Sequence, residues 1–186
     1  MQDCERKSKI ARWPSSAPLR ALIALMLFGL LSACAQDPGY MQLDPERQAF
    51  ALREVKQKQA RGHRVWCVPY ARNLRGINIR GNAKDWWAKA HNVYERGSEP
   101  VVGSVMSFRA TGGMRLGHVG VVSDVVSDRE IILNHANWSR NQVSLNMSVI
   151  DVSKNNDWTT VRVESQPGQY GKPYPVNGFI YPNTDG

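Results

Sequence analysis

The pattern of apolar residues changes at about Val101, and this change constrains the fold more than any other feature of the chain. Before it, proline and glycine bracket segments of helix-forming composition, whereas after it short β-branched or alternating runs are separated by Gly, Asn, Asp and Pro. These runs predict strands over residues 105–108, 118–124, 130–137, 143–152, 159–163 and 179–181. Helices followed by a run of antiparallel strands predict an α+β domain.

Clear start and stop signals define the first predicted helix. Asp44 and Pro45 supply an N-cap and a first-turn proline, and Gly62 supplies a stop, so a polar helix is predicted over residues 45–61. We expect it to pack on the domain or to space the domain from a membrane. A short helix is also predicted over residues 83–90.

The first 33 residues are typical of a lipoprotein signal peptide. A basic stretch precedes an apolar run over residues 21–31, and this run is too short to span a bilayer, which needs about 20 residues. Leu31-Ser32-Ala33-Cys34 has the form of a lipoprotein cleavage box, so we expect cleavage before Cys34 and lipidation of its thiol. A soluble secreted protein or an uncleaved anchor is the alternative.

The residues after Cys34 extend this prediction to a location. Ala35 and Gln36 follow it directly, and a lipoprotein without an acidic residue there resembles those sent to an outer membrane. We therefore expect a protein of the bacterial cell envelope, lipid-anchored to the outer membrane and facing the periplasm. Residues 34–62 would form a tether and the polar helix.

Charge narrows the choice of partners. The formal net charge is +8, but the basic residues are dispersed along the chain and no basic-aromatic nucleic-acid motif is present. A basic surface could favour anionic cell-wall polymers or lipid headgroups, whereas no nucleic-acid partner is predicted. No P-loop is present, and Gly112-Gly113 is interpreted as a flexible loop.

Cys67 is the candidate nucleophile. Of the three cysteines, Cys4 lies in the leader and Cys34 ends the cleavage box, which leaves one thiol. Pro69 is tolerated only in the first turn of a helix, so a helix over about residues 69–75 would place Cys67 at or just before its start. A helix N-terminus lowers a thiol pKa and can bind an oxyanion. The alternative is a buried structural cysteine.

Three polar residues are predicted to meet at one end of the sheet. A hairpin turn centred on residues 126–128 would place His118 opposite residue 136, within one position, and so beside His135 or Asn137. Because side chains alternate along a strand, His135 and Asn137 share a face and Asn134 points the other way. The residues leave open whether His135 or Asn137 orients His118.

These stretches together resemble the cysteine- and histidine-dependent amidohydrolase/peptidase (CHAP) domains. The matching segments are Cys67-Val-Pro-Tyr-Ala-Arg72, Gly103-Ser-Val-Met-Ser-Phe108, Gly117-His-Val-Gly-Val-Val122 and His135-Ala-Asn-Trp138, within a catalytic domain expected over residues 63–182. The resemblance implies a papain-like or NlpC-like fold, with N-terminal helices packed on an antiparallel sheet. Many CHAP domains have Glu where His135 stands, whereas NlpC-type peptidases have His.

The resemblance also implies a peptidoglycan amide hydrolase, either an N-acetylmuramoyl-L-alanine amidase or an endopeptidase. Cys67 would attack the amide, His118 would act as the base, and His135 or Asn137 would orient it. Neither a cofactor nor a metal is expected. The candidates to line the cleft are Trp66, Trp86 and Trp138, each of which could instead be a packing residue.

Two other functions remain compatible with the sequence. A zinc-dependent hydrolase could use Cys67, His118 and His135 as ligands, although no short ligand spacing and no fourth ligand are evident. Alternatively, a non-catalytic lipoprotein could bind peptidoglycan in the same cleft.

Overall fold

Three helices, a 3₁₀ turn and seven strands form the regular secondary structure of the residues that the structure describes. A computed structural model describes residues 43–183; the predicted signal peptide, the predicted lipidation residue Cys34 and most of the predicted tether lie outside them. The helices are α1 (Pro45–Ala60), α2 (Cys67–Arg75) and, after a 3₁₀ turn at Ala83–Asp85, α3 (Trp86–Lys89). The strands are β1 (Glu95–Gly97), β2 (Val105–Phe108), β3 (His118–Ser127), β4 (Glu130–Ala136), β5 (Val143–Asp151), β6 (Thr160–Gln166) and β7 (Gln169–Tyr181).

Helix α1 begins as its N-terminal sequence predicts. The Asp44 carboxylate accepts a hydrogen bond from the Glu46 backbone N–H at 2.8 Å, which caps the helix ahead of its first-turn proline. Ala51 and Val55 are buried in one apolar cluster with α2 residues such as Leu74, so α1 packs on the domain along a narrow face. In the described part of the chain, no helix is long and apolar enough to cross a bilayer.

The sheet closes into a barrel. Its strand order is β1-β7-β2-β3-β4-β5-β6, all neighbours pair antiparallel, and β6 pairs with β7 to complete the circle. Closure depends on β7, because its first half pairs with β6 (Thr160 faces Pro175) and its second half pairs with β2 (Val105 faces Ile180). A closed sheet leaves few unpaired strand edges.

Two apolar clusters lie on either side of β2 and β3. One joins the helices to Val105, Val119 and Val121, and the other joins Met106 and Phe108 to residues of β4 to β7. All four residues of β2 are therefore buried. Such a strand is buried on both faces and lacks the simple alternation of a half-exposed strand.

The structure confirms an α+β fold with an antiparallel sheet. Closure into a barrel was not predicted, and the strand predicted over residues 179–181 is the end of the 13-residue strand β7. The papain-like or NlpC-like packing of helices on the sheet stays a prediction.

Candidate active site

Cys67 is the first residue of α2. The preceding Trp66 is extended (φ −133°, ψ 149°) and gives the helix no side-chain cap, so the first backbone N–H groups are not occupied by a capping side chain. Pro69 lies in the first turn, and Gly76 ends the helix in the left-handed conformation (φ 69°). The helix thus begins at Cys67. Of the two predictions, that the cysteine lies at the start of the helix or just before it, the first is the one observed.

Burial, and not the helix terminus, dominates the acidity of this thiol. The side chain of Cys67 is only 8% exposed. Loss of solvent raises its pKa above the ordinary value of a thiol, whereas backbone hydrogen bonds from Val119, Val68 and Cys67 itself act in the opposite direction and are outweighed. The predicted lowering of the Cys67 pKa is therefore wrong for the free chain, in which the thiol keeps its proton near neutral pH.

His118 is the first residue of β3 and lies against His135 of β4. The two rings are joined by a hydrogen bond of 3.0 Å between Nε2 of His118 and Nδ1 of His135. Val121 faces Asn134 in the ladder, which is within the predicted register. Both histidines are buried, and Cys67 is connected to the same strand through Val119, the residue after His118.

A methionine fixes the tautomer of this pair. Nε2 of His135 lies 3.1 Å from Sδ of Met147 on β5. A thioether can only accept, so Nε2 of His135 carries the proton, and a neutral ring then leaves its Nδ1 unprotonated. His118 must accordingly donate from Nε2, and its Nδ1 keeps a free lone pair. This nitrogen is the one available as a base.

Both rings are neutral in the free protein. Burial, followed by the mutual repulsion of two charged rings, lowers the pKa of His118 well below its ordinary value, and burial lowers the pKa of His135 to about 3. Trp138 stacks on His135 with centroids 5.4 Å apart, and Phe108 packs edge-on against His118 at 5.6 Å. These aromatic rings exclude water from the pair.

Asn137 lies just beyond β4 and not within it. Its backbone has φ 62°, and its Oδ1 accepts a hydrogen bond from the Asn141 backbone N–H at 2.9 Å. Asn141 in turn accepts from the Val65 backbone N–H at 2.8 Å, which joins this loop to the segment that precedes Cys67. Asn137 therefore lines the cleft as part of a turn, a role that strand alternation did not predict.

Asn134 points away from the site, as the alternation of β4 predicts. Its Oδ1 accepts a hydrogen bond from the Asn146 backbone N–H at 2.9 Å. Asn134 also lines a separate, smaller depression, which it shares with Asp124 and Gln48.

The three tryptophan candidates have different environments. Trp66 and Trp138 line the cleft, and Trp66 is 40% exposed. Trp86 is wholly buried in the cluster beneath the helices, which is the packing role given as its alternative in the sequence analysis. Of a pair of adjacent tryptophans one is expected in the core, but the sequence does not indicate the side on which the cleft opens.

Cys67 and His118 open into one cleft of about 750 Å³. Its other walls come from the loop over residues 113–117 and from Lys172 and Tyr174 of β7. The sequence analysis missed these walls because the loop carries only a glycine signal and this part of β7 was not recognised as a strand. A cleft of this size can hold several residues of a peptide or glycopeptide.

The donor geometry does not favour a metal site. Among residues 43–183, no group of three or more His, Cys, Asp and Glu side chains is arranged to hold a metal ion. The facing nitrogens of His118 and His135 are bonded to each other. The zinc alternative would require that bond to open.

One comparison with known proteins found a match to part of the chain. A family model described as the CHAP domain matches residues 58–137, a stretch that contains Cys67, His118 and His135. No curated protein was found to match the chain. Residues 58–137 are therefore similar to CHAP domains, and this similarity suggests a peptidoglycan hydrolase of the amidase or peptidase type.

Proposed function

We propose that this protein hydrolyses an amide bond of peptidoglycan through a thioester on Cys67, either as an N-acetylmuramoyl-L-alanine amidase or as an endopeptidase. One observation carries the proposal. The hydrogen bond between His118 Nε2 and His135 Nδ1 leaves Nδ1 of His118 as a free base in the cleft that it shares with Cys67.

In the first half-reaction, His118 Nδ1 takes the proton from the Cys67 thiol while Sγ attacks the amide carbon. The backbone N–H groups at the start of α2 stabilise the oxyanion. The C–N bond then breaks, and His118 returns the proton to the leaving amine. This route fits the ground state, because a neutral histidine can accept a proton and a buried thiol need not ionise beforehand.

In the second half-reaction, His118 takes a proton from water, and the resulting hydroxide attacks the thioester. The acid product leaves, and the thiol recovers its proton. His135 remains neutral and accepts the Nε2–H of His118 throughout, so it orients the imidazolium without contributing a negative charge.

Digestion of purified sacculi tests the proposal. The wild-type protein should release soluble fragments whose masses identify the cleaved bond, whereas Cys67→Ala should release none. The loss must persist when circular dichroism shows the variant to be folded. Binding of sacculi by the wild type without any release would instead identify a non-catalytic peptidoglycan-binding protein.

We further propose that the protein is anchored to the outer membrane through a lipid on Cys34. Cys34→Ala should move the chain out of the membrane fraction. The fractionation is done at high salt, because the basic chain could otherwise adhere to anionic surfaces. Retention of the variant in the membrane fraction under these conditions would contradict the anchor.

A further inference from the structure

Five basic side chains that are far apart in the sequence line the same cleft. They come from the segment before α2, from α2 itself, from the loop after it, from the loop before β3 and from β7: Arg64, Arg72, Arg80, Arg115 and Lys172. None of the twenty residues that line the cleft is Asp or Glu. The cleft therefore concentrates positive charge that the sequence showed as dispersed.

One of these side chains is held by stacking, and the backbone at or beside two others is fixed by hydrogen bonds. The Arg64 guanidinium lies over the Trp66 ring at 4.2 Å from its centroid, and this stacking leaves its N–H edges free. The loop that carries Arg115 is fixed by a hydrogen bond of 2.8 Å from the Lys84 backbone N–H to the Leu116 carbonyl. At Arg80, the backbone carbonyl accepts from Lys89 Nζ at 2.8 Å.

Among residues 43–183, no carboxylate forms a salt bridge with these five side chains. Within residues 43–183 the two salt bridges join Arg47 to Asp44 and Arg129 to Asp151, and none of these residues lines the cleft. In the same part of the chain, Nε of Arg72 is buried without a hydrogen-bond partner. Cations that converge on a concave site repel one another, and an anion bound between them relieves the repulsion.

We infer that the substrate carries free carboxylate groups close to the amide bond that is cleaved, so that the cleft prefers an acidic peptide to its amidated counterpart. The inference rests on the proposed function, because a thiol and a histidine acting on an amide make the occupant a peptide. Carboxylates fit arginine well, since the guanidinium can donate two parallel hydrogen bonds to one carboxylate.

The test compares two soluble muropeptides that differ only in whether the carboxylates flanking the amide bond are free or converted to carboxamides. We expect kcat/KM to be roughly 10-fold or more higher for the acidic form, because hydrogen bonds to a charged carboxylate are stronger than those to a neutral carboxamide. The preference should shrink with added salt. Equal rates on the two peptides would overturn the inference and leave the hydrolase intact.

Matched arginine variants show whether the preference for the acidic peptide arises in the cleft. Arg115→Gln and Arg80→Gln should each reduce the ratio between the two peptides. Arg53→Gln is the control, because Arg53 is exposed on α1 and does not line the cleft. An identical ratio in all three variants would contradict the assignment of the preference to the cleft.

Calorimetry of the two peptides binding to Cys67→Ala tests the preference for carboxylates independently of hydrolysis. It therefore distinguishes an error in the inferred substrate class from an error in the proposed activity. If neither peptide is cleaved by the wild type but the variant binds the acidic form more tightly, the substrate class stands and the hydrolysis does not. If the variant binds both forms equally, or if an oligonucleotide or a phosphopeptide displaces the acidic peptide, the inference is wrong.

Discussion

The thiol of Cys67 illustrates how two effects at one residue compete. The start of a helix favours the thiolate, but the surrounding apolar cluster removes more hydration than the backbone N–H groups replace. The local effect can be predicted from a proline two residues downstream. The opposing effect depends on residues distant in sequence, such as Val119 and Ala136, and therefore could not be predicted.

The rate of iodoacetamide alkylation shows which of these two effects on the Cys67 pKa is larger. We expect Cys67 to react more slowly in the folded chain at pH 7 than in the same chain unfolded in urea, because it is buried and its pKa is raised. The rate in the folded chain should keep increasing above pH 9. Faster alkylation of the folded chain at pH 7 would mean that the thiolate is already present.

The residue that orients His118 can be identified by graded loss. His135→Ala should lower turnover by roughly 10²-fold with little change in KM, because it removes the acceptor for Nε2–H of His118. Asn137→Ala should cost less, since Asn137 bonds to the turn and not to the histidines. Asn134→Ala should keep near wild-type turnover. A larger loss from Asn137→Ala would make Asn137 the orienting residue.

We expect Met147 to affect turnover by favouring the Nε2–H tautomer of His135. Met147→Leu removes the sulfur acceptor while keeping similar bulk, so the Nε2–H form of His135 is no longer favoured and kcat should fall by roughly 2- to 10-fold, equivalent to one weak hydrogen bond. Met147→Gln, which supplies an amide oxygen, should restore activity. Nitrogen-15 shifts of the histidine rings report the tautomer directly, and unchanged shifts in Met147→Leu would contradict this role.

At the scale of elements, the turn after β4 connects the third member of the site to the nucleophile. Asn141 accepts from the Val65 backbone N–H, and its carbonyl accepts from Gln59 at 2.8 Å, so this turn contacts both the segment before Cys67 and helix α1. The contact positions the cysteine relative to the histidines.

Two variants at Asn141 separate its contributions. Its φ of 61° favours Asn or Gly. Asn141→Gly should lower the free energy of unfolding by about 1–2 kcal/mol through the lost hydrogen bond, and Asn141→Ala by about 1–2 kcal/mol more through backbone strain. Urea unfolding measures both. An equal loss of unfolding free energy in the two variants would mean that the backbone conformation contributes nothing. No loss in either variant would mean that the hydrogen bond to Val65 does not stabilise the fold.

The strands show where sequence patterns suffice. Strands β2 to β6 were recognised because β-branched residues and turn residues frame them. Most of β7 was missed because Pro173 and Pro175 interrupt its pattern, yet both prolines lie in the ladder with β6, facing Arg162 and Thr160. Barrel closure could not be predicted, because it requires one strand to change partners along its length.

At the scale of the whole molecule, the buried histidine pair makes stability depend on pH. His118 and His135 have lowered pKa values in the folded chain and ordinary values near 6.5 when unfolded, so the unfolded chain binds more protons as pH falls below 6.5. Their contribution is present above pH 6.5 and is lost progressively towards the folded values, which is about pH 3 for His135.

The window between pH 5 and 6 isolates this effect, because ordinary carboxylates are already ionised there. The free energy of unfolding should fall by up to about 1.4 kcal/mol per pH unit for each histidine. Urea denaturation at several pH values gives the slope, and His135→Gln should reduce it by roughly half. A flat profile in the wild type would mean that the pair is hydrated.

The position of strand β7 in the sequence also determines when the barrel can close during synthesis of the chain. A ribosome releases Cys67 before the two histidines, and it releases the histidines before residues 169–181, the strand that closes both ends of the barrel seam. The nascent chain consequently carries its reactive groups on an open, unsealed sheet, and Lys172 and Tyr174 are still missing from the wall of the cleft. A chain that stops before Gln169 would lack the strand that completes both the barrel and the cleft.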